Sequence, residues 1–255
     1  MLRSSGRVTV ADLAESLNVA EATVRRDLDC LESDGVLKRY HGGAYLQVGS
    51  SYEPPFAVRE MANIEAKQAI ARTVADQIND GDTVILDGGS TGLAIAEAVA
   101  QRAITVCPLS LRIAWALAKS QTVKLLLPSG TVRSREFSLV GAEITEYLHR
   151  HRFDKYIATA SGITPKAGLT EWNPDDAVVK QVAIDTAEVT IAAVDASKYA
   201  QICFVNVCSI STPDTIVIDN RLPEAAAETI RAAGGKITIC PEDLERRNGS
   251  KQNPR

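Results

Sequence analysis

The chain has 255 residues, of which 45% are hydrophobic, and its formal net charge is −4. This length allows a medium core plus a small satellite domain, and the negative charge disfavours a protein that coats nucleic acid through bulk positive charge. No apolar run approaches the ~20 residues of a membrane span, no signal peptide is visible, and five scattered cysteines indicate neither a disulfide framework nor a zinc cluster. We expect a cytoplasmic protein with no membrane contact, no metal and no cofactor, whose DNA contacts, if any, are local.

Residues 1–48 predict a small DNA-binding domain with two helices followed by a hairpin. Thr9 and Asp12 have the spacing of a capping box, in which a side chain accepts a hydrogen bond from the backbone at the start of a helix. Asn18 is a turn residue that can adopt positive φ, and Gly35 ends the second helix. The apolar positions of both helices recur at helical spacing and predict one apolar stripe, made of Leu13, Ala14, Leu17, Val24, Leu28 and Leu31.

Residues 36–45 predict the hairpin, a two-stranded wing with a glycine pair at or near its turn. In a winged helix-turn-helix the second helix lies in the major groove, while the wing contacts phosphates or the minor groove. An adjacent arginine pair is ordinarily a solvated helix face, but the turn at Asn18 and the second basic cluster on the wing favour DNA binding here. The predicted DNA contacts are Thr23, Arg25, Arg26, Asp27, Lys38, Arg39, His41, Gly42 and Gly43.

The rest of the chain consists of three segments that differ in composition and pattern. Residues 49–63 carry glycine, serine and proline without periodicity and predict a linker. Residues 64–242 alternate helical patterns with short apolar strands, which predicts an α/β domain with a mostly parallel sheet and helices on both faces, whereas residues 243–255 form a polar tail. The expected strands are 83–87, 104–107, 123–127, 156–159, 189–194, 216–218 and 236–240.

A glycine-rich loop, Gly88–Gly92, joins the strand that ends at Asp87 to the next helix. Loop amides, hydroxyls and a helix N-terminus suit a phosphate group, although a tight turn that merely needs glycine has the same pattern. Asp195 and Lys198 follow another strand, and ligands collect at the carboxyl ends of parallel strands, so we expect these side chains to converge on one ligand. Lys180 lies on a helix and is either a surface lysine or part of this site.

The N-terminal motif resembles the signature of the DeoR family of bacterial regulators. The residues that carry this resemblance are Val24-Arg25-Arg26-Asp27-Leu28, then Leu31, Glu32, Gly35, Leu37, Arg39 and His41-Gly42-Gly43-Ala44. The resemblance continues through the second domain and implies a sugar-phosphate sensor that shares its fold with ribose-5-phosphate isomerase and the glucosamine-6-phosphate deaminases. We expect a homo-oligomeric repressor of carbohydrate genes that leaves double-stranded operator DNA when a phosphorylated sugar binds. The resemblance and the glycine-rich loop after Asp87 together give the expected effector-binding residues. They are Asp87, Gly89, Ser90, Thr91, Ser110, Lys155, Gly162, Lys180, Asp195 and Lys198.

The sequence also departs from the family pattern. Members usually begin with an extra helix, and this chain starts where that helix would end, so we expect the first helix to be truncated. Ala20 stands where a serine commonly caps the second helix, and a lost cap costs about 1 kcal/mol. Pro108-Leu109-Ser110 stands where many relatives read Thr-Asn-Ser, which removes an amide side chain from the expected pocket wall.

Two alternatives belong to other functional classes. A sugar-phosphate isomerase or deaminase needs a carboxylate or histidine base, yet the segment that corresponds to the isomerases' acidic stretch, Thr159–Gly162, has no carboxylate. His149 and His151 lie in an arginine-rich helical run and are expected to be solvated. We therefore predict that the chain is not an enzyme. The other alternative is a sensor that has lost DNA binding and acts through partners.

Overall fold

The computed structural model describes residues 7–33, 35–45 and 49–241. The chain start, where the truncated helix was expected, and the predicted tail 243–255 lie outside the described residues. Within them, the helices are α1 (Val10–Leu17), α2 (Glu21–Ser33), α3 (Phe56–Met61), α4 (Ile64–Ala75), α5 (Gly89–Val99), α6 (Leu111–Leu117), α7 (Ala142–His149), α8 (Pro174–Thr186) and α9 (Glu224–Ala232), with a 3-10 turn at Ala196–Lys198. The strands are β1 (Arg7–Thr9), β2 (Lys38–Tyr40), β3 (Gly43–Tyr45), β4 (Thr83–Leu86), β5 (Thr105–Pro108), β6 (Lys124–Leu125), β7 (Thr131–Val132), β8 (Leu139–Val140), β9 (Phe153–Ala158), β10 (Gly162–Thr164), β11 (Gly168–Glu171), β12 (Ala187–Val194), β13 (Val205–Cys208), β14 (Thr215–Ile218) and β15 (Ile237–Ile239).

The ends of α1 and α2 follow the local signals in the sequence. The Thr9 hydroxyl accepts a hydrogen bond from the Asp12 amide at 3.1 Å and so caps α1. Asn18 ends α1 in the left-handed conformation at φ 53°. Gly35, at φ 77°, ends α2 with the Val36 amide bonded back to the Leu31 carbonyl at 2.9 Å. The predicted cap and both predicted helix ends are confirmed.

The wing is larger than predicted, because it is a three-stranded sheet in the order β1-β3-β2. Strand β1 precedes α1 and pairs antiparallel with β3, with Val8 opposite Ala44. Gly43 makes this pairing possible, since a Cβ there would lie 2.2 Å from the Val8 carbonyl oxygen. A strand this short carries too little periodicity to be recognised in the sequence.

The apolar stripe is buried only in part. Val24 and Leu28 enter the small core with the sheet residues, whereas Leu17 and Leu31 are 62% and 39% exposed. The helices of this domain contact its sheet, and Leu17 and Leu31 lie outside the core that this contact forms. The core itself consists of Val8, Val10, Val24, Leu28, Leu37 and Ala44.

The second domain is built on a seven-stranded sheet in the order β15-β14-β12-β9-β4-β5-β6. Every neighbouring pair is parallel, and each strand lies where the sequence predicted one. Side chains alternate between the faces, so Val84 and Leu86 pack with α4 and α5, while Ile85 packs with α7 and α8. The α/β class and the helices on both faces are confirmed. None of the described helices has the length and apolar character needed to cross a membrane.

The segment expected to be a structureless linker contains α3. Pro55 precedes this helix of six residues, whose first residue, Phe56, is 5% exposed. The Arg112 guanidinium lies 4.0 Å from the centre of the Phe56 ring and holds the helix against the sensor domain. A six-residue helix shows less than two turns of periodicity, which is why the sequence did not reveal it.

Candidate functional site

A cavity of about 120 Å³ opens at the carboxyl ends of β4, β9 and β12. Each of these strands continues directly into a residue that lines the cavity: Asp87, Thr159 and Asp195. Strands that run parallel end at the same edge of the sheet, and this edge is where α/β proteins place their ligands. The topology therefore brings together side chains that are far apart in the sequence.

The start of α5 forms one wall of the cavity. Gly88 precedes the helix, and no side chain caps its first amides. Gly89 at φ 80° gives the loop its turn, and a Cβ on Gly92 would lie 2.1 Å from the Asp87 carbonyl oxygen, so this close approach needs glycine. Ser90 and Thr91 line the cavity beside the uncapped amides, and the Ser90 hydroxyl donates to the Arg59 carbonyl at 3.3 Å. Such a helix start favours an anion, because free N–H groups and the helix dipole both point at it.

Lys180 lies beneath this loop in a fully bonded environment. Its ammonium group donates to Asp87 at 2.7 Å, to the Thr159 carbonyl at 2.9 Å, and pairs with Glu171 at 2.8 Å. Burial alone would lower the pKa of Lys180, but the two carboxylates raise it above its ordinary value. The three N–H groups of the ammonium already have three acceptors, so Lys180 positions the loop and has no donor left for a ligand.

The environment of Lys198 differs from that of Lys180. Its ammonium nitrogen lies 4.9 Å from the centre of the Trp172 ring and lines the cavity. It has no hydrogen-bond acceptor or ion-pair partner within the described part of the chain. Burial lowers the pKa of Lys198, against the opposing effect of Asp195. A partly buried ammonium group without an acceptor is well suited to receive an anionic oxygen.

Two arginines line the cavity in a network with three carboxylates, and Arg59 lies beside the start of α5, with Nη1 3.7 Å from where a Cβ on Gly89 would stand. Arg133 Nη2 lies 2.6 Å from Glu53 Oε2, and its Nη1 pairs with Asp176. Arg59 pairs with Glu136 and lies 3.5 Å from Glu53. Burial raises the pKa of Asp176 to about 6, although Arg133 and Lys180 act in the opposite direction. The described residues include no group of His, Cys, Asp and Glu side chains that could hold a metal ion.

The exposed start of α2 and the wing form a second candidate surface. Arg26, Lys38 and His41 have exposed side chains with no hydrogen-bond or ion-pair partner among the described residues. Arg25 is exposed and pairs with Glu21 at 2.5 Å, one turn earlier. These side chains are available to an external polyanion.

Arg39 has a different role on this surface. Its Nη1 donates to the Arg25 carbonyl at 3.1 Å and pairs with Asp29, while its amide donates to Glu32 at 2.8 Å. Arg39 thus fastens the wing to α2 and does not extend freely into solvent. Gly42, at φ 89°, supplies the turn of the hairpin.

Comparison with known proteins decides the family. The DeoR-like helix-turn-helix domain matches residues 1–47, and the DeoR C terminal sensor domain matches residues 62–220. The chain belongs to the DeoR family. Its DeoR-family relatives include the glycerol-3-phosphate regulon repressor of Escherichia coli, which is 29% identical over 94% of this chain and 95% of the relative. The HTH-type transcriptional regulator GolR of Listeria innocua is 30% identical over 94% of this chain and 95% of its own.

A further DeoR-family relative is the HTH-type transcriptional regulator GlpR of Haloferax volcanii, 31% identical over 91% of this chain and 90% of its own. The prediction that the chain is a transcription regulator and not an enzyme is thereby confirmed. Among solved structures, ribose 5-phosphate isomerase A of Methanocaldococcus jannaschii overlaps 55% of this chain and 56% of its own, at a TM-score of 0.42 and 14% identity.

The DeoR-type cavity contains most of the residues that the sequence predicted for the effector. Those that line it are Asp87, Gly89, Ser90, Thr91, Lys180, Asp195 and Lys198. The structure does not bring the other three there. Ser110 caps α6 by accepting from the Arg112 amide at 3.2 Å, and Lys155 pairs with Asp82 at 2.5 Å, just before β4. A Cβ on Gly162 would lie 2.4 Å from the Gln201 carbonyl oxygen, so this glycine serves close backbone packing.

Several cavity residues were absent from the sequence-based prediction of this DeoR site. They are Glu53, Arg59, Arg133, Glu136, Thr159, Ser161, Glu171, Trp172 and Asp176. The two arginines carried no signal, because Arg59 lies in the segment expected to be a linker and Arg133 lies between short strands that were not predicted.

Proposed function

We propose that this DeoR-family chain is a repressor of carbohydrate metabolism genes that leaves its double-stranded operator when a phosphorylated sugar or related metabolite binds the cavity. The observation that carries the proposal is the combination of the uncapped start of α5 with the ammonium group of Lys198. Together they offer a phosphate group free backbone amides and one unpaired positive charge. The carboxylates of the cavity can accept hydrogen bonds from sugar hydroxyl groups.

The names of the relatives support the carbohydrate assignment. The Escherichia coli relative is a repressor of the glycerol-3-phosphate regulon, which connects one DeoR-family protein with a small phosphomonoester. Glycerol 3-phosphate is therefore the first compound to test.

For the DNA, we propose that α2 enters the major groove and that the three-stranded wing lies against the phosphate backbone. Thr23, Arg25, Arg26 and Asp27 are exposed on the first turns of α2, where helix-turn-helix proteins contact base edges. Lys38 and His41 supply positive charge on the wing. A dimer or higher oligomer would hold two such domains at the spacing of a palindromic operator.

The test combines DNA binding with ligand binding in the full chain. The protein should retard a fragment of the upstream region of its own gene, and glycerol 3-phosphate or a five- or six-carbon sugar phosphate should release it. Lys198→Met should weaken phosphomonoester binding about ten-fold or more because it removes the unpaired cation. Lys155→Met is the matched control, since this lysine lies outside the cavity, and it should leave the affinity unchanged. Equal affinities of the two variants would contradict the proposed effector site.

A further inference from the structure

Glu53 lies inside the cavity although it belongs to the segment that joins the two domains. Its side chain is 18% exposed, with Oε2 at 2.6 Å from Arg133 and Oε1 at 3.5 Å from Arg59. Burial raises the pKa of Glu53, and the hydrogen bond from Arg133 opposes this effect. A carboxylate is thus held against two guanidinium groups, one of which, Arg59, lies beside the start of α5 where the phosphate is proposed to bind.

The other carboxylates of the network belong to the sensor domain itself. Glu136 pairs with Arg59, and Asp176 pairs with Arg133, so each arginine keeps one partner if Glu53 withdraws. A phosphate that enters the cavity is repelled by Glu53 and attracted by the same two arginines. The ligand and the Glu53 side chain therefore compete for the same positive charges.

The residue next to Glu53 contacts the DNA-binding domain. The Tyr52 hydroxyl donates to the Gly35 carbonyl oxygen at 2.9 Å, at the end of α2. A Cβ on Gly35 would lie 3.3 Å from Nη1 of Arg135, a residue of the loop that also carries Arg133. Two adjacent residues thus connect the cavity arginines with the end of the helix that carries the predicted DNA contacts.

We propose that Glu53 is an internal competitor of the effector's anionic group, and that its displacement transmits effector binding to α2 through Tyr52. This inference rests on the proposed function and specifies how the site is coupled to DNA. With Glu53 bound to Arg133, Tyr52 holds the end of α2 in place. When an anion takes the arginines, Glu53 leaves, the Tyr52 to Gly35 hydrogen bond breaks, and the orientation of α2 is no longer fixed.

Three variants of the full chain separate competition from coupling. Glu53→Gln should bind inorganic phosphate about ten-fold more tightly than wild type, since a buried negative charge is removed. Without any ligand it should already show weaker DNA binding and faster amide hydrogen exchange over residues 31–37. Tyr52→Phe should show the same DNA and exchange changes with a smaller gain in phosphate affinity than Glu53→Gln, because phosphate no longer has to break the Tyr52 to Gly35 hydrogen bond. Glu136→Gln, the matched control, should bind phosphate more tightly and leave DNA binding and exchange as in wild type.

The measurements are phosphate titration by calorimetry, DNA binding by fluorescence anisotropy, and hydrogen exchange by mass spectrometry. Glu53→Gln with wild-type phosphate affinity would overturn the competition, and unchanged exchange in Tyr52→Phe would overturn the coupling. If Glu136→Gln altered exchange as Glu53→Gln does, the effect would be one of net cavity charge and the inference would fail. A wild-type chain that binds neither phosphate nor sugar phosphates would instead overturn the proposed function together with this inference.

Discussion

Lys180 on α8 and Asp87 at the end of β4 form a buried ion pair with 2.7 Å between Nζ and Oδ2. Both side chains are 6% exposed, and Glu171 completes the arrangement from the other side at 2.8 Å. Asp87 in turn accepts hydrogen bonds from the Gly88 amide and from Thr159, both at 2.8 Å. The pair therefore fixes the loop that leads into α5, and with it the amides proposed to bind phosphate.

Replacing Lys180 should destabilise the sensor domain. Lys180→Met leaves the Asp87 and Glu171 carboxylates buried without their shared positive charge, which costs about 3–5 kcal/mol in the free energy of unfolding. Urea denaturation followed by circular dichroism measures this loss. Lys198→Met is the control, because its ammonium has no acceptor among the described residues, and it should change the free energy of unfolding by less than about 1 kcal/mol. Similar losses in both variants would contradict the distinction between the two lysines.

The pKa of Asp176 predicts a specific pH dependence of stability. Because burial raises this pKa to about 6 in the folded protein, from an ordinary value of about 4, the folded state binds the proton more tightly. The contribution of Asp176 to stability is therefore fully present below pH ~4 and is lost as the pH rises through ~6. The stability of Asp176→Asn relative to wild type should accordingly increase between pH 5 and pH 7.5 and then level off. The measurement is a pair of urea titrations of variant and wild type at each pH, with Asp175→Asn, at an exposed neighbouring position, as the control. A difference in the free energy of unfolding between Asp176→Asn and wild type that does not change with pH would refute the raised pKa of Asp176.

The main sheet could be predicted from the sequence because each of its strands is a short apolar run between helices. The same reasoning located the loop after Asp87 and the ends of β9 and β12, since parallel strands converge at one edge whatever their order. It could not reveal the pairing of Glu53 with Arg133, which are 80 positions apart and lie on segments without periodicity. That contact depends on where tertiary packing places two irregular segments.

The sequence also could not distinguish Lys180 from Lys198 or Arg39 from Arg26. Each pair has the same residue type, but the first member is held by acceptors from other elements, whereas the second has no hydrogen-bond or ion-pair partner among the described residues. Whether a cation is available to a ligand depends on how many acceptors surround it, and acceptors such as the Thr159 and Arg25 carbonyls come from other elements. Residue type and spacing predict a site, whereas hydrogen-bond partners decide the role of each side chain in it.

The difference between Arg26 and Arg39 can be tested on DNA. Arg26→Ala should weaken operator binding about ten-fold and reduce the salt dependence of the logarithm of the affinity by about one unit, because one phosphate contact is lost. Arg39→Met should in addition lower the stability of the N-terminal domain, since it detaches the wing from α2. Arg150→Ala, an exposed arginine on the far domain that pairs with Glu146, is the matched control. Unchanged binding by Arg26→Ala at equal salt would exclude α2 from the DNA interface in the proposed orientation.

Cysteine reactivity offers an independent probe of α2. Cys30 lies one turn after Arg26 and is exposed, whereas Cys107, Cys203 and Cys240 are buried and Cys208 is partly buried. Burial raises the pKa of Cys107 to about 12 and that of Cys208 to about 11, which keeps these thiols protonated and slow to react.

Native protein should therefore show one fast-reacting thiol per chain with Ellman's reagent. Cys30→Ser should abolish the fast phase, and Cys208→Ser should retain it. Saturating operator DNA should slow the fast phase, because residues four positions apart share one face of a helix and Arg26 is proposed to contact the duplex. If the fast phase were equally rapid in a tightly bound complex with DNA, this face of α2 would point away from the duplex. Another surface of the domain would then have to contact the major groove.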